Sequence, residues 1–300
     1  MKTIDLAIEA GYRHFDTAYM YQNEVAIGKA LKKWLDSGKI KREELFIVSK
    51  LPMVAMNERL VEEYLQRSLT ALQLSYVDLY LIHKPVGFRP GEVLFPVDDE
   101  GCLILDYDTD HIAIWKAMEA QVDAGRAKFI GLSDFTVAQM EQILKSARIR
   151  PSTNQVECHI YFQRKGLREW GEKNGIPLTS FGTLGSPAAV GLFNQGGAMT
   201  AQQVRSPLTE EPVVRIARAH NKTAGQVLLR HLLQHGIAVI PKSSHPDRIR
   251  QNIDVFDFEL TDAEMAELNA IDMDEKGRKF FVSNLFKGYD KHPECPYGKM

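Results

Sequence analysis

Leu45-Phe46-Ile47-Val48-Ser49-Lys50, followed one helix later by Val77-Asp78-Leu79-Tyr80-Leu81-Ile82-His83, decides the fold. Both runs are short and almost wholly apolar, and each ends on a chemically useful side chain. Strands without polar alternation belong to parallel sheets covered by helices on their faces. The surrounding chain keeps the same beat. Residues 3–10 read as an amphipathic helix closed by Gly11, 14–18 as a strand, and 24–35 as a helix closed by Ser37-Gly38. Asn57 reads as the cap of a helix running to Leu72.

Further along, strands are expected at 127–133, 153–157, 176–181 and 237–242, alternating with helices at 112–124, 137–147, 164–174, 212–219, 223–234 and 246–252. Thr261 caps a last helix over 263–271. Long loops at 86–109 and 182–209 exceed what a connection needs, and 276–300 shows no regular pattern. Such alternation implies a parallel barrel or a doubly wound sheet. No GxGxxG follows a first strand, which removes the usual Rossmann phosphate site. Seven strands are legible, and one domain over 1–300 is expected.

In a parallel barrel, the residues at the carboxyl ends of the strands converge on one face. Here those ends are Asp16, with Tyr21 one turn on, Lys50 and His83. Any one of them alone reads as a strand-end ion pair or a core histidine. Four at matching strand ends read as a proton-transfer set, because perturbed groups gather at active sites. A tyrosine with a pKa near ~10 is a poor acid at neutral pH unless a cation sits beside its oxygen. Lys50 is placed to be that cation, with Asp16 offsetting the cost of a partly dry ammonium.

Composition narrows the classes. The formal net charge is −2, from 37 basic and 39 acidic residues, so nothing draws the chain to nucleic acid or an anionic membrane. Three widely spaced cysteines, Cys102, Cys158 and Cys295, suit neither a disulfide framework nor a metal knuckle, and a reducing cytosol is expected. Asp5 and Glu9 interrupt any apolar stretch after Lys2, so no signal peptide is expected. The nine histidines include no HExxH, and no metal is expected.

The chain resembles the aldo-keto reductase family over nearly its whole length. The resemblance rests on Gly11-Tyr12-Arg13-His14-Phe15-Asp16-Thr17-Ala18 with Tyr21 and Asn23-Glu24, on Leu81-Ile82-His83 with Pro85, on Asn154-Gln155-Val156-Glu157-Cys158-His159, and on Ile240-Pro241-Lys242-Ser243. It implies a (β/α)8 TIM barrel and reduction of aldehydes or ketones with NADPH, with Asp16, Tyr21, Lys50 and His83 as catalytic tetrad. It implies that Ser133, Asp134 and Gln155 hold the nicotinamide carboxamide. Phe181 would stack on the ring, and Leu184, Gly185 and Ser186 would lie over the pyrophosphate. Lys242, Ser243 and Arg248 would hold the 2′-phosphate, with Gln251 and Asn252 on the adenine. The partner implied is a small carbonyl compound, with sugars, lipid aldehydes and steroids all in range, and the protein a cytosolic monomer.

Three departures stand out. Asp134 replaces the family's asparagine, and a carboxylate cannot donate to an amide oxygen. Its charge is expected to favour the oxidised cofactor. Lys84 replaces an aromatic after His83 and would set a cation at the pocket wall, or else turn out to solvent. The family's capping hairpin and first strand, upstream of the 3–10 helix, are missing, which implies a barrel with one strand absent. A gap beside 14–18 and 237–242 would then weaken the fold. Two rival readings stay open: an aldolase using Lys50 as a Schiff base, and a cofactor-binding but catalytically weak or inactive isoform or partner subunit.

Overall fold

The computed structural model describes residues 2–186 and 205–297. These group into two compact units, one drawn from 2–154 with 286–297 and the other from 155–186 with 205–285.

The first unit alternates helix and strand from its start. Its elements are α1 (Lys2–Glu9), β1 (His14–Asp16), α2 (Glu24–Asp36), β2 (Phe46–Leu51), α3 (Val61–Leu72), β3 (Val77–Ile82), β4 (Gly87–Phe88), β5 (Leu105–Asp106), α4 (His111–Asp123), β6 (Ala127–Ser133) and α5 (Val137–Leu144). Strands β1, β2, β3 and β6 are parallel neighbours in that order. Register aligns their ends: Lys50 lies opposite Leu81 and Ile82 opposite Leu132. The residues just past those pairs, His83 and Ser133, therefore come out at the same end of the sheet. Every residue of β3 is buried, as its almost wholly apolar run implied, Asp78 included. Helices α2 and α3 touch at Gly28, where an added Cβ would lie 2.4 Å from the Ala71 carbonyl oxygen. Only glycine allows that approach.

Several expectations are corrected here. The strand expected over 14–18 ends at Asp16, because the chain turns into a single 3-10 turn at Tyr19–Tyr21. Asn57 caps no helix; its Oδ1 accepts from the Arg59 amide at 3.0 Å, and α3 begins only at Val61. The 86–109 loop carries the antiparallel β4–β5 pair. The end of the patternless tail is ordered by contacts with that loop. Leu103 N donates to Lys287 O at 2.9 Å, His292 Nε2 to Asp106 O at 2.8 Å, and the rings of Phe95 and Phe286 stack at 4.5 Å.

The second unit contains β7 (Asn154–Glu157), α6 (Lys165–Asn174), β8 (Leu178–Phe181), α7 (Glu211–Ala219), α8 (Ala224–Gln234), β9 (Ala238–Val239), α9 (Pro246–Ile253) and α10 (Asp262–Asn269). Strands β8 and β9 are parallel, with Thr179 opposite Ala238. The strand expected over 237–242 is cut to two residues. Ile240 N makes the last bond, to Ser180 O at 3.4 Å, and Pro241 has no N–H to continue. Thr223 and Thr261 close capping boxes with Gln226 and Glu264. Ile160, Val213, Ile216, Val227, Leu228 and Leu268 form the core of this unit. Of the 182–209 loop only its two ends are described; Gly191, Gly196 and Gly197 lie outside the described residues. Among the described residues no helix is long and apolar enough to cross a membrane.

Candidate active site

The end of the parallel sheet in the first unit gathers the four expected residues. Lys50 is fully buried, and its Nζ donates to Asp16 Oδ1 at 2.5 Å and to the Thr17 carbonyl at 2.8 Å. Thr17 is held in turn by its Oγ1, which donates to Asn23 Oδ1 at 2.8 Å. Burial works against the Lys50 charge, but Asp16 and then Tyr21 outweigh it, so the ammonium titrates above the ordinary lysine value. Lys50 Nζ lies 5.1 Å from the centre of the Tyr21 ring. That ring meets the imidazole of His83 edge-on, at 5.6 Å between centroids.

His83 is anchored through its backbone, with His83 N donating to Leu51 O at 3.2 Å. Burial, then the charges of Lys50 and Lys84, push its imidazole well below the usual histidine range. The ring is neutral at physiological pH and can offer one N–H to a polar oxygen. Tyr21, by contrast, is 48% exposed. The set therefore presents a reachable hydroxyl backed by a buried cation, beside a neutral imidazole. That arrangement can protonate and orient a carbonyl oxygen.

Lys84 is neither a cation on an open pocket wall nor a side chain turned to solvent. Its side chain is 13% exposed and makes an ion pair with Asp134, itself 4% exposed. Burial works against the Lys84 charge, and Asp134 more than restores it. Asp134 takes a left-handed φ of 60° just after β6, a conformation that aspartate tolerates better than most residues. The two departures read from the sequence are thus one internally neutralised pair. Ser133 is buried at the end of β6.

The second unit carries the remaining expected residues. Gln155 is buried in β7, and Phe181 ends β8 with its ring 5.9 Å from that of Phe280. Leu184 packs on the core of this unit. Gly185 and Ser186 both have positive φ, and a Cβ on Gly185 would sit 2.5 Å from the Pro207 ring. Lys242 and Arg248 are exposed on either side of the start of α9, and among the described residues neither makes an ion pair. Asp247 is engaged instead by Arg250 and His245. Two uncommitted cations at a helix start suit a phosphate. Ser243 Oγ accepts from the His245 amide at 3.1 Å, while Asn252 is buried and Gln251 partly so.

Some participants were not picked out from the sequence. Ser49 Oγ donates to the buried Glu24 carboxylate at 2.6 Å, locking α2 onto β2 beside Lys50. Glu24, like Asn23 and Thr17, lies within the quoted motif, so its signal was available. Tyr289, fully buried and within electrostatic reach of Lys84 and Asp134, had none, because its tail segment lacks periodicity.

A family model described as the aldo/keto reductase family matches residues 1–273. Dihydrodiol dehydrogenase 3 of Bos taurus is 39% identical over 300 residues, covering 99% of this chain and 88% of the relative. Aldo-keto reductase family 1 member C3 of Homo sapiens matches at 39% with the same coverage. Among solved structures, an aldose reductase from Schistosoma japonicum superposes with a TM-score of 0.88 at 39% identity, covering 99% of this chain and 90% of that one.

Proposed function

Because the chain belongs to the aldo/keto reductase family and has its α/β barrel fold, we propose that it is an NADPH-dependent carbonyl reductase with Tyr21 as general acid. One observation carries this reading: a buried Lys50 ammonium on Asp16, with the Tyr21 ring 5.1 Å away and His83 beyond it. In this reading His83 donates to the carbonyl oxygen and orients it. Tyr21 gives that oxygen its proton, and Lys50 stabilises the phenolate left behind. Asp16 keeps Lys50 charged and in place.

Lys242 and Arg248, in no ion pair among the described residues, fit a 2′-phosphate, which favours NADPH over NADH. With Ser243 they would hold the phosphate, Gln251 and Asn252 the adenine, Leu184, Gly185 and Ser186 the pyrophosphate, and Phe181 the ring face. Ser133, Asp134 and Gln155 are the candidates for the carboxamide. When bound, the dinucleotide supplies the hydride. The substrate is an aldehyde or ketone, a class that includes sugars, lipid aldehydes and steroids. Cys102, Cys158 and Cys295 are thiols rather than disulfides, which suits the cytosol. A Schiff-base role for Lys50 is disfavoured, because Asp16 stabilises the charged amine.

The test is NADPH oxidation over a panel of aldehydes and ketones, followed by absorbance. Turnover lost in Tyr21→Phe is the expected result. NADPH binding without turnover on any carbonyl would leave a cofactor-binding protein and overturn the catalytic reading.

A further inference from the structure

Lys279 is 1% exposed in the irregular tail, and lysines are almost never buried so completely without a partner charge or a task. Its place is fixed through the backbone. Lys279 N donates to Glu157 Oε1 at 2.6 Å and Phe280 N to Glu157 Oε2 at 3.1 Å. Glu157 ends β7, and the next residue, Cys158, donates its amide at 3.2 Å to the carbonyl of Phe181, which ends β8. The tail is thereby brought to the carboxyl ends of these two strands.

The side chain then runs towards the turn that follows β8. Nζ donates to the Arg205 carbonyl at 2.5 Å, lies 5.3 Å from the centre of the Tyr161 ring, and would stand 3.9 Å from a Cβ placed on Gly185. Gly185 and Ser186 turn there with positive φ, and Gly185 has no side chain to screen its main chain from the ammonium. The two nearby carboxylates have other partners. Glu210 pairs with Arg205 at 2.6 Å and accepts from Tyr161 Oη, while Glu157 accepts the two tail amides and pairs with His159 Nε2 at 2.9 Å. At Lys50, Asp16 and Tyr21 outweigh burial. At Lys279, burial is only partly offset by Glu157, and the ammonium titrates lower than an ordinary lysine, at about 8.

We propose that Lys279 is the buried countercharge for the dinucleotide's pyrophosphate, acting on an anion seated on the 184–186 turn. A cation this close in a dry setting needs no direct contact, because charges there are little screened. The docked anion holds the proton on Lys279, and by reciprocity the protonated lysine holds the anion. In the unliganded protein the ammonium is present below about 8 and lost above it, so affinity falls as pH rises through that value. The charged and titratable groups around Nζ are Glu157 and His159 at the end of β7, Tyr161 beyond them, Arg205 and Glu210 before α7, and Arg278 alongside. The assignment rests on the cofactor reading given above and adds to it a residue that lies outside every motif quoted from the sequence.

The experiment titrates the full-length protein with NADPH by calorimetry at pH 8, in two buffers of different ionisation heat. Binding should take up about 0.4 of a proton, and NADH, which lacks the 2′-phosphate, should take up the same. Kd for both cofactors should rise about fivefold from pH 7 to pH 9. Lys279→Met, an apolar side chain of similar length in a buried place, should weaken both cofactors about tenfold at pH 7, take up no proton and lose the pH dependence. Lys279→Arg should keep the parent affinity at pH 7 and hold it to pH 9, since arginine stays charged. NADPH binding without proton uptake, uptake unchanged in Lys279→Met, or uptake with NADPH alone would overturn the proposal. A protein that binds neither dinucleotide at any pH would overturn the cofactor reading itself, and this assignment with it.

Discussion

Lys50 Nζ sits 2.5 Å from Asp16 Oδ1, across two parallel strands whose register places Asp16 opposite Val48. The pair is almost wholly shielded from water, so it is costly on its own, and its value lies in what the ammonium does next. The Thr17 carbonyl and the Tyr21 ring complete its surroundings. A cation held this firmly stabilises a phenolate without rearranging during the reaction, which is how preorganised charge lowers a barrier.

Tyr21→Phe should therefore abolish carbonyl reduction while leaving NADPH affinity within a few-fold. In the proposed reaction the hydroxyl is the proton source and holds little of the dinucleotide. General acid catalysis is usually worth ~100-fold or more, so a variant keeping above about a tenth of turnover would take Tyr21 out of the acid role.

Lys242→Met with Arg248→Met should weaken NADPH far more than NADH. Both cations are assigned to the one phosphate that separates the two cofactors, and charge-assisted contacts of this kind are strong. Equal losses in Kd, measured by fluorescence quenching, would place the phosphate elsewhere.

The two halves of the buried pair should shift cofactor choice in opposite directions. Asp134→Asn leaves the Lys84 ammonium unbalanced and should lower affinity for NADP⁺, with its cationic ring, relative to NADPH. Lys84→Met leaves the carboxylate unbalanced and should raise it, since Coulomb terms are large in a dry site. The ratio of the two dissociation constants is the readout; a shift of the same sign in both variants would sink the idea.

Stability should fall between pH 6.5 and 4 because of His231. Burial, opposed by the hydrogen bond from Nε2 to Asn269 Oδ1 at 2.8 Å, holds its imidazole down at about 4. Unfolded, a histidine titrates near ~6.5, so the unfolded chain takes up the proton first as pH drops. The neutral ring's contribution is complete above that value and is lost progressively down to the folded value, to a total of about 3 kcal/mol. Urea midpoints across this range should fall steeply for the parent and less so for His231→Gln; parallel curves would assign the acid sensitivity to other groups.

The candidate tetrad was legible because each member ends a local pattern. Runs such as Phe46–Leu51 declare a buried parallel strand by composition alone, and the barrel rule places their last residues on one face. The cap at Thr261 was equally readable, being an interaction within a single turn, and Thr223 makes the same kind of box. The boundary at Pro241 could be foreseen in kind, though the extent of β9 depended on where Ser180 offered its last carbonyl.

What the sequence determined by itself was the alternating α/β order, the chemical identity of the strand ends and the absence of a Rossmann turn. Only the tertiary structure decided that Lys84 and Asp134, 50 residues apart, neutralise one another, and that Tyr289 of the tail is buried within electrostatic reach of both. The reason is physical. Periodicity and capping are set by neighbours along the chain, whereas an ion pair between two strand ends exists only once the register of β3 on β6 has brought those ends together.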